Sequence, residues 1–503
     1  MSVLTTARTD RTLLLIAGFA VVKLIFHTIV NQQYGFHRDE LATLDDARHL
    51  AWGYVAYPPF TPFIGRLALT LFGESLAGFR FFAAMAQSVA IVLAASMAKH
   101  LGGNHSAQWL TALAVAISGV SLSASSLFQY VSFDYLWWVL IAWLIVRLVE
   151  TDDRRWWVAI GSAVGLGFLT KYTILVCVAG LAVGVLATPL RKHLASPWLW
   201  AGVVISLVIA SPNLVWQMKH DFITLEFLKS IHARDVSIGR TDNFFVNQLF
   251  VPANPATVSL WSAGLIALFI SPSLSRFRVL GWMAVSSFAI FAAAQGRDYY
   301  AAPIYPMLLA AGASWVMSRL DVRAAAEKWV MMAAVPILLL AGAFVAAIVL
   351  PIAPVGSHWW KRALAQNGDL REQFGWPELV AEVARIWNTI PENERARAAI
   401  FCTNYGQAGA INLYGPRYGL PQAISGVNSF WARGYGNPPP ETVIVLGGQR
   451  EWLQQRFESV ILAGRVPNSL GVENEESRQP DIYLCRRPRE PWPELWPKIR
   501  KFG

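Results

Sequence analysis

Residues 13–30 read Leu-Leu-Leu-Ile-Ala-Gly-Phe-Ala-Val-Val-Lys-Leu-Ile-Phe-His-Thr-Ile-Val. This is an almost unbroken apolar run with one cation near its middle, and it decides the solvent against which the rest of the chain is read. A helix needs roughly 20 such residues to cross a bilayer core of about 30 Å. Further runs follow near 78–98, 107–126, 134–149, 156–170, 172–189, 198–214, 255–272, 279–294, 302–318 and 329–350. The reading is therefore a mainly α, polytopic membrane protein of about eleven spans. The whole chain is 55% hydrophobic and only 15% charged, which excludes an ordinary soluble enzyme. Arg8 and Arg11 before the first run give it the look of a secretory signal, but no small-residue cleavage site follows, so it is read as an uncleaved helix. Lys23 inside it either faces other helices or meets a lipid phosphate.

Positive charge orients the spans. Arg8 with Arg11, Lys99, Arg154 with Arg155, Arg191 with Lys192, Arg276 with Arg278, and Arg319 and Arg323 with Lys328 fall in alternate loops. With those loops in the cytoplasm, the N-terminus is inside. Loops 31–77, 127–133, 215–254 and 295–301 then face outward. The net charge of +10 belongs to such loops and to anionic lipid rather than to nucleic acid. From Pro351 onward the apolar runs cease, which predicts two domains: 1–350 in the membrane, with the outward loop 31–77, and 351–503 as a periplasmic α/β layer. Strands are expected at Ala398–Thr403, Thr442–Leu446, Ser459–Leu462 and Asp481–Cys485. Cys402 and Cys485 end two of them, and either a disulfide or two buried thiols fits; Cys177 lies within a span as a packing residue.

The outward loops carry the chemistry. Phe36-His37-Arg38-Asp39-Glu40 opens an amphipathic helix running to about Tyr54, with Leu41, Leu44 and Ala51 against the membrane and Asp39 and Asp46 on another face. Asp39 and Glu40 sit where a helix dipole favours acids, so capping and catalysis both account for them. His37, His49, Asp45 and Asp46 nearby show no metal-ligand spacing and read as solvated surface.

Beyond these residues a resemblance becomes specific. Phe36–Glu40 followed by Ala-Arg-His-Leu-Ala-Trp-Gly-Tyr-Val-Ala-Tyr-Pro-Pro, Ser132–Trp138, Gly165–Thr173 and Gly296–Tyr300 resemble the bacterial dolichyl-phosphate-mannose-type glycosyltransferases. That group includes protein O-mannosyltransferases, the lipid A aminoarabinose transferase and Rgt-type galacturonosyltransferases. Phe374–Val380 and Asn404–Ile411 extend the resemblance into the last third. It implies a GT-C fold, a polyprenyl-phosphate sugar donor, and a lipid, polysaccharide or protein acceptor of the cell envelope.

The resemblance also assigns roles. The aspartate of the Asp-Glu pair is the family's base, which makes Asp39 the general-base candidate. Glu40 then orients the acceptor, helps hold a divalent cation, or simply stabilises the helix start. A leaving phosphate needs cations more than a proton, and Arg38, Lys171 and Arg297 are the basic residues placed at the outer boundary. Lys171 also reads as a snorkelling turn residue, and Arg297 as the salt-bridge partner of Asp298. Asp134, with Lys171 as its expected cation, joins His37, Tyr172, Asp298 and Tyr299 as candidate donor or acceptor pocket residues, while Phe133, Tyr135, Trp137 and Trp138 read first as an interfacial aromatic belt. Arg417, Tyr418, Trp431 and Arg433 are either acceptor contacts or exposed loop residues. One base and no second nucleophile predict a single displacement with inversion. The competing reading is a lipid or glycolipid flippase, for which intramembrane cations would line a path.

Overall fold

The structure, a computed structural model, describes residues 11–320 and 324–503; Arg8 and Arg323, two of the orienting cations, lie outside them. The chain divides into two compact units. The first comprises Met1–Val30, Arg80–Leu214 and Asp235–Leu350. The second comprises Asn31–Phe79, Val215–Arg234 and Pro351–Gly503, so the loop that begins with the Asp-Glu pair belongs with the last third of the chain.

In the first unit all eleven apolar runs are helical. Among the described residues seven helices are long and apolar enough to cross a membrane, and an eighth is reached if Ile174–Leu186 and Pro189–Ala195, bent by 104°, count as one span. The protein is a multi-pass membrane protein. Trp156–Phe168 and Pro255–Ile270 are apolar but short. The run expected at 107–126 is not one helix: it breaks into His105–Ala116 and Gly119–Ala124. Ser118 causes the break by capping the second piece, accepting from Ser121 N. Gly119 donates its amide to Ala253 O at 3.3 Å, and a Cβ there would lie 2.6 Å from Val251 O.

With no hydrophobic drive between helices in lipid, close backbone approach holds them together. Helices Val258–Ile270 and Tyr305–Leu320 cross at Gly264 and Gly312, where a Cβ on either glycine would overlap a carbonyl of the other helix, Leu308 O or Leu260 O. Gly161 and Gly202 make a second crossing of this kind. Tyr135 and Trp138 are buried in the main core together with Met283, Leu280 and Ile145, and Phe133 is buried as well. These rings are packing residues, not an interfacial belt, because their side of helix Tyr130–Thr151 faces other helices. Lys23 turns inward too, its Nζ donating to Ser125 Oγ at 3.0 Å and Ser121 Oγ at 3.2 Å.

The second unit contains a five-stranded sheet: β1 Ala398–Cys402, β2 Ile424–Ser425, β3 Thr442–Leu446, β4 Phe457–Arg465 and β5 Asp481–Pro488, in the order β2-β1-β3-β5-β4. β1 is parallel to β2 and β3, while β5 runs antiparallel to β3 and β4. All four expected strands form, and β2 is the addition. The sheet rules out the disulfide. Cys402 pairs with Leu446 and Cys485 with Val443 on the intervening strand, a separation of about 14 Å from strand spacing and rise, against less than 7 Å for a bridge. Both thiols are free and buried.

Candidate active site

The Asp-Glu segment lies in the second unit on helix Arg38–Arg48, which stops well short of Tyr54. A capping box built on His37 starts it: Asp39 N donates to His37 Nδ1 at 3.1 Å, and His37 N donates to Glu40 Oε2 at 2.8 Å. Glu40 is fully buried and its carboxylate is thereby engaged in holding the helix start. Leu41 and Leu44 are also buried, and the helix packs on Tyr405–Tyr414 rather than resting on lipid. Small residues of that second helix allow the approach, since a Cβ on Gly409 would lie 2.6 Å from Leu41 O.

Asp39 remains partly exposed, 41% for its side chain. Tyr405 Oη donates to its Oδ1 at 2.7 Å. Arg38 Nε is 3.7 Å from the same oxygen, while the guanidinium pairs with Glu475 and lies 5.5 Å over the Tyr405 ring. Glu475 does not stand out in the sequence, and Tyr405 does so only as part of the resembling stretch Asn404–Ile411. The local signal for Tyr405 is Asn404, which caps helix Tyr405–Tyr414 by accepting from Gln407 N at 2.8 Å and so fixes the ring at the first turn. His37, expected in a pocket, is buried beneath the segment, with Nε2 at 4.0 Å from Asp369.

The acids expected at a solvated surface are interior. Asp45 and Asp46 are 1% and 3% exposed, and Arg433 spans both. Asn412 Nδ2 donates to Asp45 Oδ1 at 2.7 Å, and Tyr57 Oη donates to Asp46 Oδ2 at 2.7 Å. Burial outweighs Arg433 and pushes Asp46 up to about 6. Arg433 is thus a structural clamp rather than an exposed loop residue. Trp431 is likewise fixed, its Nε1 donating to Trp496 O at 3.1 Å; Tyr418 stays exposed.

The first unit holds the other candidates. Lys171 follows helix Trp156–Phe168, and its Nζ lies 4.1, 5.2 and 5.3 Å from the ring centroids of Tyr300, Tyr299 and Tyr130. The ammonium is therefore held by π faces with a carboxylate, Asp134, as its electrostatic partner. Asp134 is 4% exposed and accepts from Thr173 Oγ1 at 2.9 Å. Tyr172 turns elsewhere, donating to Asn213 Oδ1 at 2.7 Å.

Arg297 does not pair with Asp298. Its Nε donates to Asp235 Oδ2 at 2.6 Å and Nη1 to Tyr299 Oη at 3.4 Å, while Asp298 accepts from Asn247 Nδ2 at 2.8 Å and from Tyr299 N at 2.7 Å. The two neighbours along the chain do not meet because the Asp298 carboxylate is engaged by Asn247 and the Tyr299 amide while Asp235 takes the guanidinium. Asp235 escapes the sequence reading. Its signal is an acid in the last turn of helix Ile223–Ser237, where the dipole disfavours negative charge and an external cation is needed. Among the described residues no three His, Cys, Asp or Glu side chains converge on a metal-holding set.

Comparison with known proteins bears on the fold. Superposition on ArnT from Cupriavidus metallidurans, in a crystal structure bound to undecaprenyl phosphate, gives a TM-score of 0.58 at 16% identity over 94% of this chain and 97% of that one. The fold is that of the ArnT-type membrane glycosyltransferases. The archaeal oligosaccharyltransferase AglB from Archaeoglobus fulgidus, in complex with an inhibitory peptide and a dolichol-phosphate, shares the ArnT-type fold at a TM-score of 0.51, with 13% identity over 86% of this chain and 69% of its own. In sequence, the dolichyl-phosphate-mannose-protein mannosyltransferase family matches residues 56–216. The lipid A galacturonosyltransferase RgtD of Rhizobium johnstonii is 28% identical over 245 residues, 48% of this chain. That match spans about half the length of the relative. The family match begins after Asp39, so the role of the Asp-Glu segment rests on its own geometry.

Proposed function

We propose that this protein transfers a sugar from a polyprenyl-phosphate donor to a cell-envelope acceptor on the periplasmic face of the bacterial inner membrane, with inversion at the anomeric carbon. The observation that carries the reading is Lys171. It is a lysine ringed by three tyrosines in an ArnT-type fold, a cation stabilised by quadrupoles and one acid and suited to an arriving phosphate. The two structural relatives, one bound to undecaprenyl phosphate and the other in complex with a dolichol-phosphate, support the donor class.

In this mechanism Lys171 and Arg297 stabilise the negative charge that grows on the departing lipid phosphate. Asp134 orients Lys171, and Asp235 orients Arg297. Asp39 takes the proton of the acceptor hydroxyl as its oxygen bonds to the anomeric carbon, while the carbon–phosphate oxygen bond breaks and its electron pair leaves with the phosphate. Glu40 and Arg38 hold the base segment in place. The structural relatives support a transferase and give no support to a flippase.

Purified protein in polyprenyl-phosphate-sugar vesicles tests it. Asp39→Asn should lose turnover by about 10²- to 10⁴-fold while donor binding is retained. Turnover within threefold of the parent protein, or a product with retained configuration, would refute the mechanism.

A further inference from the structure

The second unit brings to Asp39 a side chain that lies 366 positions downstream, in a stretch of sequence that stands out only through its resemblance. Tyr405 Oη donates to Asp39 Oδ1 at 2.7 Å. Three features fix that phenol. Asn404 caps the helix beneath it by accepting from Gln407 N, and the Arg38 guanidinium covers its ring. Asn404 Nδ2 also donates to Glu476 Oε1 at 2.8 Å and to Glu475 Oε1 at 3.2 Å. Glu475 in turn holds Arg38. The result is a closed circuit, Asp39 to Tyr405 to Arg38 to Glu475 to Asn404, that returns to the helix carrying Tyr405.

We propose that Tyr405 is a positioning residue for the base: its hydroxyl locks the Asp39 carboxylate in one rotamer and favours its ionised form. This rests on the reading of Asp39 as the general base. A hydrogen bond donated to a carboxylate stabilises the charged state, and a partly exposed aspartate without one samples several rotamers. Burial raises the Tyr405 phenol well above its ordinary value, so it stays a donor across the working range. The charged and titratable groups facing Asp39 include Arg38 and His37 on its own segment and Tyr405 from the packed helix. Glu475, Glu372 and Asp369 lie behind them. His37 Nδ1, 3.9 Å from Asp39 Oδ2, already accepts from the Asp39 amide, so it does not donate to the carboxylate. The phenol is a neutral donor to the carboxylate.

The test is Tyr405→Phe, which keeps the ring beneath Arg38 and removes only the hydroxyl, run beside Asp39→Asn in the full-length protein in vesicles. The expected result is an approximately tenfold fall in kcat, the size expected for one hydrogen bond to a charged group. The KM for donor lipid should be unchanged, and the acidic limb of the pH–rate profile should move upward by about one pH unit. Removing a bond to the ionised form raises the base's pKa, so activity is recovered at higher pH. If Asp39→Asn abolishes turnover while Tyr405→Phe keeps the parental kcat and pH profile, the proposal about Tyr405 is overturned and the base survives. A lower melting temperature with an unmoved pH profile overturns it equally, since the hydroxyl would then serve only folding. If Asp39→Asn is itself active, the base reading fails first, and the two failures are told apart.

Discussion

The two units treat buried charge in opposite ways. In the second, Asp45 and Asp46 share Arg433 and are further bonded by Asn412, Tyr57 and Ser429. In the first, Lys171 has three aromatic faces and one nearby acid around its ammonium. The former arrangement satisfies its charges with fixed partners and holds segments distant in sequence together. On the function proposed above, the latter leaves binding capacity for a phosphate that arrives from outside. A cation kept in that condition is a cost to stability, and costs of this kind concentrate where ligands bind.

The comparison breaks most sharply at Lys171. Lys171→Met should lower turnover by about 10²- to 10³-fold while lowering the melting temperature in detergent less than Arg433→Ala does, because it strands one buried carboxylate, Asp134, rather than two. A large thermal destabilisation with full activity would show that Lys171 belongs with the structural charges after all. Arg433→Ala is the converse. It strands two buried carboxylates, and because Arg433 is itself only 28% exposed, a loss of about 3 kcal/mol is expected, visible as early unfolding in a thermal scan.

A smaller effect follows from Glu476, buried and accepting from Asn404 and Gln407. Burial pushes it up to about 7 from an ordinary 4.5, with Glu475 and Glu372 adding to the push. The folded state therefore prefers the protonated form. Its stabilising contribution is full below about pH 4.5 and is lost as pH rises through 7. Melting temperatures measured between about pH 5 and 8 should fall with pH in the parent protein, and the slope should flatten in Glu476→Gln. An unchanged slope would assign the pH dependence to other groups. Least of all is expected from Lys23→Met. Its serine partners retain their own bonds, such as Ser125 Oγ to Ser121 O at 2.6 Å, so stability should change by about 1 kcal/mol or less.

What the amino-acid order reveals and what it hides follow from the range of the forces involved. Helices are legible because an apolar run needs no knowledge of its neighbours, and strands β1, β3, β4 and β5 are legible from local alternation and composition. β2, with two residues, is too short to carry a pattern and exists only because β1 offers it a partner. The break at Ser118 has a local cause in a capping serine followed by glycine, but it is masked by the apolar residues around it. Partners separated by long stretches of chain are not legible. Arg297 is matched in sequence with adjacent Asp298 and finds Asp235 in the fold; Asp45 and Asp46 read as solvated and find Arg433, 388 and 387 positions away. For the candidate site, the Asp-Glu segment and Lys171 announce themselves as charges in unusual settings, whereas Tyr405 is an ordinary aromatic until the fold delivers its hydroxyl.

Gly264 and Gly312 set a boundary on how the membrane region can adapt. Each glycine presses its backbone against the opposite helix, and a methyl group on either would collide with a carbonyl. Two cylinders meshed at that depth resist both sliding and rolling, so the pair acts as a rigid post. Any rearrangement that accompanies turnover has to be accommodated by looser neighbours, and a single alanine at either position should splay the post without altering one charged residue.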